Sequence, residues 1–291
     1  MNEAIGAMIR KYHCETSEDY ENALIEIVQE IALLGLSRSN FFSRGAFYGG
    51  TALRIFYGLP RFSEDLDFSL EQPDHEFQLE EYLPCVEQEL DAYNFKMTVR
   101  KKKKTKDSAV QSAFIKGNTA QNILEITPRD DILSQIHSHA SLKIKFEVDT
   151  NPPGGAGYQI LNALSPTPYQ VRLYDKESLF AGKIHAVLCR DYKNRVKGRD
   201  FYDYIWYLQN GIGVNLYHLQ KRMEQSGKWD PEENLAFDRL KELLIQRFQA
   251  VDYNSAREDV SRFLNRRDRS DLSLWNSDFF CDITERYLRE S

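Results

Sequence analysis

Asp65 and Asp67 stand one residue apart near the end of the stretch FYGGTALRIFYGLPRFSEDLDFSL, which runs from Phe47 to Leu70. Side chains on a β-strand alternate between faces, so both carboxylates project to the same side. Two negative charges that close each disfavour the other's ionised form unless a cation neutralises them. Hard carboxylate oxygens suit Mg²⁺ or Mn²⁺, and such an ion keeps coordination positions for water and substrate phosphate. Upstream, Gly49, Gly50 and Thr51 follow an apolar strand. Glycines let backbone amides approach a phosphate, and a helix beginning at Thr51 or Ala52 would aim its N–H groups and positive end at that phosphate. Alone, an Asp-x-Asp is most often a solvated strand edge and a Gly-Gly a turn. Their occurrence in the order strand, glycines, helix, acid-bearing strand favours metal and phosphate chemistry.

Such a site needs a sheet with a buttress behind it. From Ser17 to Leu36, Leu24, Ile27, Val28, Ile31 and Leu34 recur at helical spacing, which predicts a core-facing helix. Phe77 to Tyr93 predicts another, and Phe95 to Arg100 alternates as a strand. Ala109 to Lys116 and Asn122 to Thr127 resume strand-like patterns. The segment LKIKFEVDT (Leu142 to Thr150) alternates strictly, with Glu147 and Asp149 facing the same way. Either could supply a third carboxylate from a neighbouring strand, as a metal ligand or as the base for an attacking hydroxyl. The basic run Arg100 to Lys106 fits a hairpin tip on RNA phosphates as well as a lysine-decorated edge that resists aggregation. No aromatic residue interrupts the run to offer a stacking platform.

After the breaks at Asn151–Gly157 and Ser165–Pro168 the pattern turns helical, which places a domain boundary near Tyr174. Asp175 can cap a helix to about Arg190, along which Lys183, Val187 and Arg190 share a face. A basic loop with Lys193, Arg195 and Lys197 leads to a second helix carrying Asp200, Asp203 and Tyr204 on one side and ending near Asn210-Gly211. Further amphipathic segments follow (Leu216 to Met223, Glu232 to Arg247, Ala256 to Phe263, Phe279 to Leu288), and Trp206, Trp229 and Trp275 are expected in the core.

The 291 residues are 42% hydrophobic, enough for one large domain or two smaller ones. A net charge of −6 argues against a protein that coats nucleic acid nonspecifically, though a local basic channel remains compatible with it. Cys14, Cys85, Cys189 and Cys281 form no C-x-x-C pair, so zinc ligation and a disulfide framework are not expected. With no membrane-length apolar run and no apolar leader core, the expectation is a soluble cytoplasmic protein.

The organising stretch resembles motif I of the AbiEii/AbiGii nucleotidyltransferase toxins, in which Gly-Gly-Thr or Gly-Ser precedes a helix and then R-x-S-x-D-x-D-F. The matching residues are Gly49, Gly50, Thr51, Arg61, Ser63, Asp65, Asp67 and Phe68. A later family motif, K-x-x-A, R, then R-D-x-x-D, is matched by Lys183, Ala186, Arg190, Arg199, Asp200 and Asp203, with a longer gap before Arg199. The resemblance implies an α/β (α+β) polymerase-β-like nucleotidyltransferase domain with a mixed sheet over residues 1–173 and a helical C-terminal domain over 174–291. It implies metal-dependent transfer of NMP from an NTP to RNA or tRNA by the toxin of a type IV toxin–antitoxin or abortive-infection pair, with a cognate antitoxin as partner. Asp65, Asp67 and Glu147, the family's usual acidic position, would hold Mg²⁺ or Mn²⁺. Gly49, Gly50, Thr51 and Ser63 would bind the nucleotide. Arg61, Lys183 and Arg190 would neutralise the leaving pyrophosphate, with Asp200 orienting Lys183 or Arg190. The competing readings are an antibiotic-modifying nucleotidyltransferase, a catalytically inactive interaction protein, and a protein phosphotransferase.

Overall fold

The computed structural model describes residues 3–102, 109–127, 130–135, 140–192, 196–264 and 269–291. The chain forms two compact units. The first comprises Met1–Gly58, Ser63–Pro152 and Gln159–Leu173, and the second Leu59–Phe62, Pro153–Tyr158 and Tyr174–Ser291.

In the first unit the strands are β1 (Gly45–Tyr48), β2 (Leu66–Leu70), β3 (Met97–Lys101), β4 (Val110–Asn118), β5 (Ser141–Asp149), β6 (Tyr158–Ala163) and β7 (Tyr169–Tyr174). They form one mixed sheet in the order β3-β4-β5-β2-β1-β7-β6. β2 runs antiparallel to β1 and parallel to β5, while β4 is antiparallel to β3 and β5. The helices of this unit are α1 (Glu3–Ile9), α2 (Ser17–Arg38), α3 (Gly49–Tyr57), α4 (Leu83–Ala92), α5 (Thr119–Ile126) and α6 (Asp130–Leu133).

The expected first long helix is present as α2, and it starts for a local reason. The Thr16 hydroxyl accepts from the Asp19 N–H, and the Asp19 carboxylate accepts from the Thr16 N–H at 2.9 Å, a reciprocal cap on two otherwise orphan donors. Its buried face, Leu24, Ile27, Val28, Ile31 and Leu34, joins the core beneath the sheet. Gly35 lets α2 lie against α4, since a Cβ there would come within 2.7 Å of the Val86 Cα. The helix expected over Phe77–Tyr93 is shorter: a 3₁₀ turn (Leu79–Glu81) precedes α4, whose first turn holds Pro84, where a missing N–H costs nothing. The strand expected over Asn122–Thr127 is instead the helix α5, capped by the Asn118 side chain, which accepts from the Gln121 N–H at 2.9 Å. Lys103 to Lys106, most of the basic run, lie outside the described residues.

Alternation separates the sheet into two chemistries. Leu66, Phe68, Phe146, Val148, Ala113 and Ile115 are buried against the helices, with Phe68 stacked on Phe47 and Phe146 at centroid distances of 5.0 and 4.7 Å. The residues between them (Asp67, Glu147, Ser112, Phe114) point to the opposite face and are half-buried.

The second unit adds α7 (Lys176–Cys189), α8 (Gly198–Gln209), α9 (Leu216–Gln225), α10 (Phe237–Gln249), α11 (Tyr253–Ser261) and α12 (Ser277–Tyr287). Asp175 caps α7 as expected, accepting from the Ser178 N–H at 2.8 Å. The helix expected to begin at Glu232 begins at Phe237. An aromatic core of Phe180, Phe201, Tyr204, Tyr207, Phe248 and Phe280 knits these helices. Trp206 and Trp275 are buried, but Trp229 is half-buried and donates its indole N–H to the Glu233 carbonyl, tying a turn rather than filling the core. All four cysteines are free, and among the described residues no helix is long and apolar enough to cross a membrane.

Candidate active site

On the polar face of the sheet the acids of the first unit fall into register. Asp67 sits beside Tyr48 of β1 on one side and beside Glu147 of β5 on the other. Asp65 lies two residues before Asp67, ahead of β2, and its carbonyl accepts from the Thr51 hydroxyl. That bond ties the start of α3 to the acid-bearing segment. Asp149 lies farther along β5, beside Ser69, and its carboxylate accepts from the Asn151 N–H at 3.0 Å. Of the two candidates for a third carboxylate, Glu147 is the one next to Asp67.

Glu147 is held by two neighbours. The Ser112 hydroxyl donates to Oε1 at 2.9 Å, and the Lys145 ammonium lies 2.5 Å from Oε2. Partial burial alone would lower the lysine's pKa. The hydrogen bond and charge of Glu147, together with the charges of Asp65 and Asp67, raise it above the ordinary value. One ammonium is thus attracted by all three carboxylates. Among the described residues no three His, Cys, Asp or Glu side chains converge closely enough to ligate one ion. Asp65, Asp67 and Glu147 carry the oxygen donors that a hard divalent cation takes, and Glu147 is also engaged by Lys145. The alternation of this strand places Lys145 on the face of Glu147, but nothing in the sequence assigns it a role at the acids.

The glycines differ from expectation in one respect. Helix α3 begins at Gly49, not at Thr51 or Ala52, so both glycines belong to its first turn, and no side chain caps that terminus. Gly49 has φ +85°, and a Cβ there would lie 2.8 Å from Asp67 Oδ2. The bare backbone is what lets the helix start and the carboxylate share this corner. Gly49→Ala is expected to displace the Asp67 carboxylate and lower turnover by about 10²-fold. The left-handed backbone would cost only about 1–2 kcal/mol of stability. Paired turnover and urea-unfolding measurements check the two effects separately. Ser63, expected at the nucleotide, uses its carbonyl to accept from the Gln29 side chain at 3.0 Å.

Beside Asp65 the sheet face opens into a cleft of about 440 Å³ lined by Glu21, Glu64, Asp65, Phe114, Lys143 and Lys145, among others. A larger cavity of about 660 Å³, with Lys11, Glu26, Glu30 and Arg54 in its lining, contains none of the expected site residues.

The remaining expected residues come together within the second unit. Arg61 donates from Nε and Nη2 to the two oxygens of Asp203 at 2.6 and 2.7 Å, and from Nη1 to the Phe62 carbonyl at 2.9 Å. With Arg61 3% exposed and Asp203 0%, this is a buried strut. Lys183 bridges Asp200 and Asp203, each at 2.8 Å, and Arg190 donates to the other oxygen of Asp200 at 2.6 Å. Asp200 thus holds both Lys183 and Arg190. Arg199 instead packs its guanidinium 4.1 Å from the centroid of the Phe263 ring. Lys193 and Arg195 lie outside the described residues.

Comparison with known proteins bears on what these residues serve. The family described as "Nucleotidyl transferase AbiEii toxin, Type IV TA system" matches residues 31–279. No curated protein matches. Among solved structures, a Helicobacter pylori protein described as a nucleotidyltransferase is 16% identical, with 89% of each chain covered and a TM-score of 0.42. JHP933 from the same organism is 17% identical, covering 90% of this chain and 92% of its own, with a TM-score of 0.45. The family match takes in the glycine corner, Asp65, Asp67, Glu147 and the Asp200–Asp203 motif, and on that span the chain belongs to the AbiEii nucleotidyltransferase toxin family of type IV toxin–antitoxin systems.

Proposed function

We propose that the protein transfers the nucleoside monophosphate of an NTP to a hydroxyl of an RNA acceptor, tRNA foremost, and that a cognate antitoxin restrains it. The observation that carries this reading is the register of Asp67 between the glycine corner at Gly49 and the carboxylate of Glu147. A divalent cation, Mg²⁺ or Mn²⁺, held by Asp65 and Asp67 would supply Lewis-acid stabilisation to the phosphate oxygens. The first turn of α3, with Gly49 and Gly50, would receive the triphosphate at its N–H groups. Glu147, steadied by Ser112 and Lys145, would take the proton of the attacking hydroxyl. The new bond joins the acceptor oxygen to the α-phosphorus as the α–β bridge breaks, and pyrophosphate leaves.

Incubation with α- or γ-labelled NTPs, total tRNA and a panel of aminoglycosides tests this. Label from the α position alone is expected on RNA, and chelation by EDTA is expected to stop it. Retention of γ label would make the protein a phosphotransferase. Label only on the small molecules would favour the second reading, an antibiotic-modifying enzyme. Glu21 and Glu64 in the lining of the cleft are the observation on its side, since a polycation would be drawn to them.

A further inference from the structure

The sheet orders the site from one side to the other. Gly49 and the first turn of α3 adjoin β1, Asp67 lies on β2, Glu147 on β5, and Ser112 and Phe114 on β4. Phosphoryl transfer places the entering and leaving oxygens roughly in line across the phosphorus. If the triphosphate lies at the α3 turn, the acceptor hydroxyl must arrive from the opposite side, over β5 and β4.

That side is an aromatic set among cations. Phe114 is half-buried on the polar face, paired in register with Lys145 on β5 and Arg100 on β3. The Lys143 ammonium stands 4.0 Å from its ring centroid and that of Lys116 5.3 Å away. The ring is also part of the lining of the 440 Å³ cleft that reaches Asp65. An aromatic face offers sequence-tolerant stacking to a base, and flanking ammonium groups on flexible stems can pass from the ring to a phosphate. Glu21 and Glu64 share the cleft lining, so cations do not surround it on every side.

We infer that Phe114, with Lys143 and Lys116 beside it, is the acceptor subsite: it stacks a terminal base of a single-stranded RNA end while the lysines contact the adjoining phosphates, delivering the terminal hydroxyl toward Glu147. This rests on the nucleotidyltransferase reading above and adds to it where the acceptor lies and what its end must look like.

The test uses the full-length protein and two probes in Mg²⁺ at fixed ionic strength. One is a 5′-fluorescein hexaadenylate RNA with a free 3′ hydroxyl, followed by anisotropy. The other is a labelled ATP analogue with a methylene α–β bridge. Phe114→Leu is expected to weaken RNA binding about tenfold, and Phe114→Trp to retain it. Lys143→Gln is expected to weaken it and reduce the salt dependence by about one phosphate contact. None of the three should change affinity for the ATP analogue. Wild-type RNA affinity in Phe114→Leu, or equal losses in the leucine and tryptophan variants, would overturn the subsite. Failure of the wild type to bind the α–β methylene analogue of any of the four NTPs would count against the nucleotidyltransferase reading itself, while the RNA titrations would still decide the role of Phe114.

Discussion

Asp67→Asn is expected to reduce nucleotide transfer by at least about 10³-fold, the loss of several kcal/mol of charge stabilisation that a carboxylate would supply by holding a divalent cation under the proposed function. Asp67 occupies the central position, with Tyr48 and the glycine corner on one side and Glu147 on the other, so no neighbouring acid can replace it in register. The fold should be indifferent. The side chain is half-buried on the polar face, and the strand is held from behind by Phe68, stacked between Phe47 and Phe146. Transfer assays with α-labelled NTP and a thermal melt on the same preparation check both halves. Substantial residual transfer would place the metal chemistry elsewhere.

The second large effect is on stability. Asp203→Ala is expected to cost about 3–5 kcal/mol, because it strands a buried guanidinium and removes one of two carboxylates from Lys183. Urea unfolding of the variant measures it. The double variant Arg61→Met with Asp203→Leu should lose much less, since neither charge then remains to be desolvated. The pair also sets a pH dependence. Burial by itself would raise the Asp203 pKa, but the charges of Arg61 and Lys183 and their hydrogen bonds outweigh it, and the folded pKa falls below the ordinary value. Its contribution to stability is therefore complete above the unfolded pKa of about 4 and is lost as pH falls through the lower folded value. Acid unfolding should be less steep in the double variant than in the wild type.

The parts of this molecule that sequence makes legible are those governed by local periodicity. Strict alternation in Leu142 to Thr150 placed Glu147 on the same face as Asp149 and opposite the buried Phe146, and the helical recurrence from Leu24 to Leu34 marked the buttress. Where a short apolar run fits two periods, as in Asn122 to Thr127, the Asn118 cap decided for helix. The start of α3 was hidden because glycines are poor helix formers, whereas here Gly49 is required by a positive φ and by its closeness to Asp67. Arg61 reads as a phosphate ligand from its motif, and its buried pairing with Asp203, far away in the chain, leaves no local signal in the sequence. The Phe114 cluster was invisible for a related reason. The basic run around Arg100 contains no aromatic residue, and it is the pairing of β3 with β4 that brings one beside it.

The assignment of Leu59–Phe62 and Pro153–Tyr158 to the second unit bears on how the protein can be dissected. The polypeptide leaves and re-enters the sheet-bearing half between the glycine corner and the acids, so a fragment ending at residue 173 would keep Arg61 but discard the carboxylate that compensates it. An excised sheet-bearing half would carry an orphan cation in the connector that precedes its own acid-bearing strand. Any engineered split of this protein is better made by redesigning that connector first than by cutting at the point where the sequence turns helical.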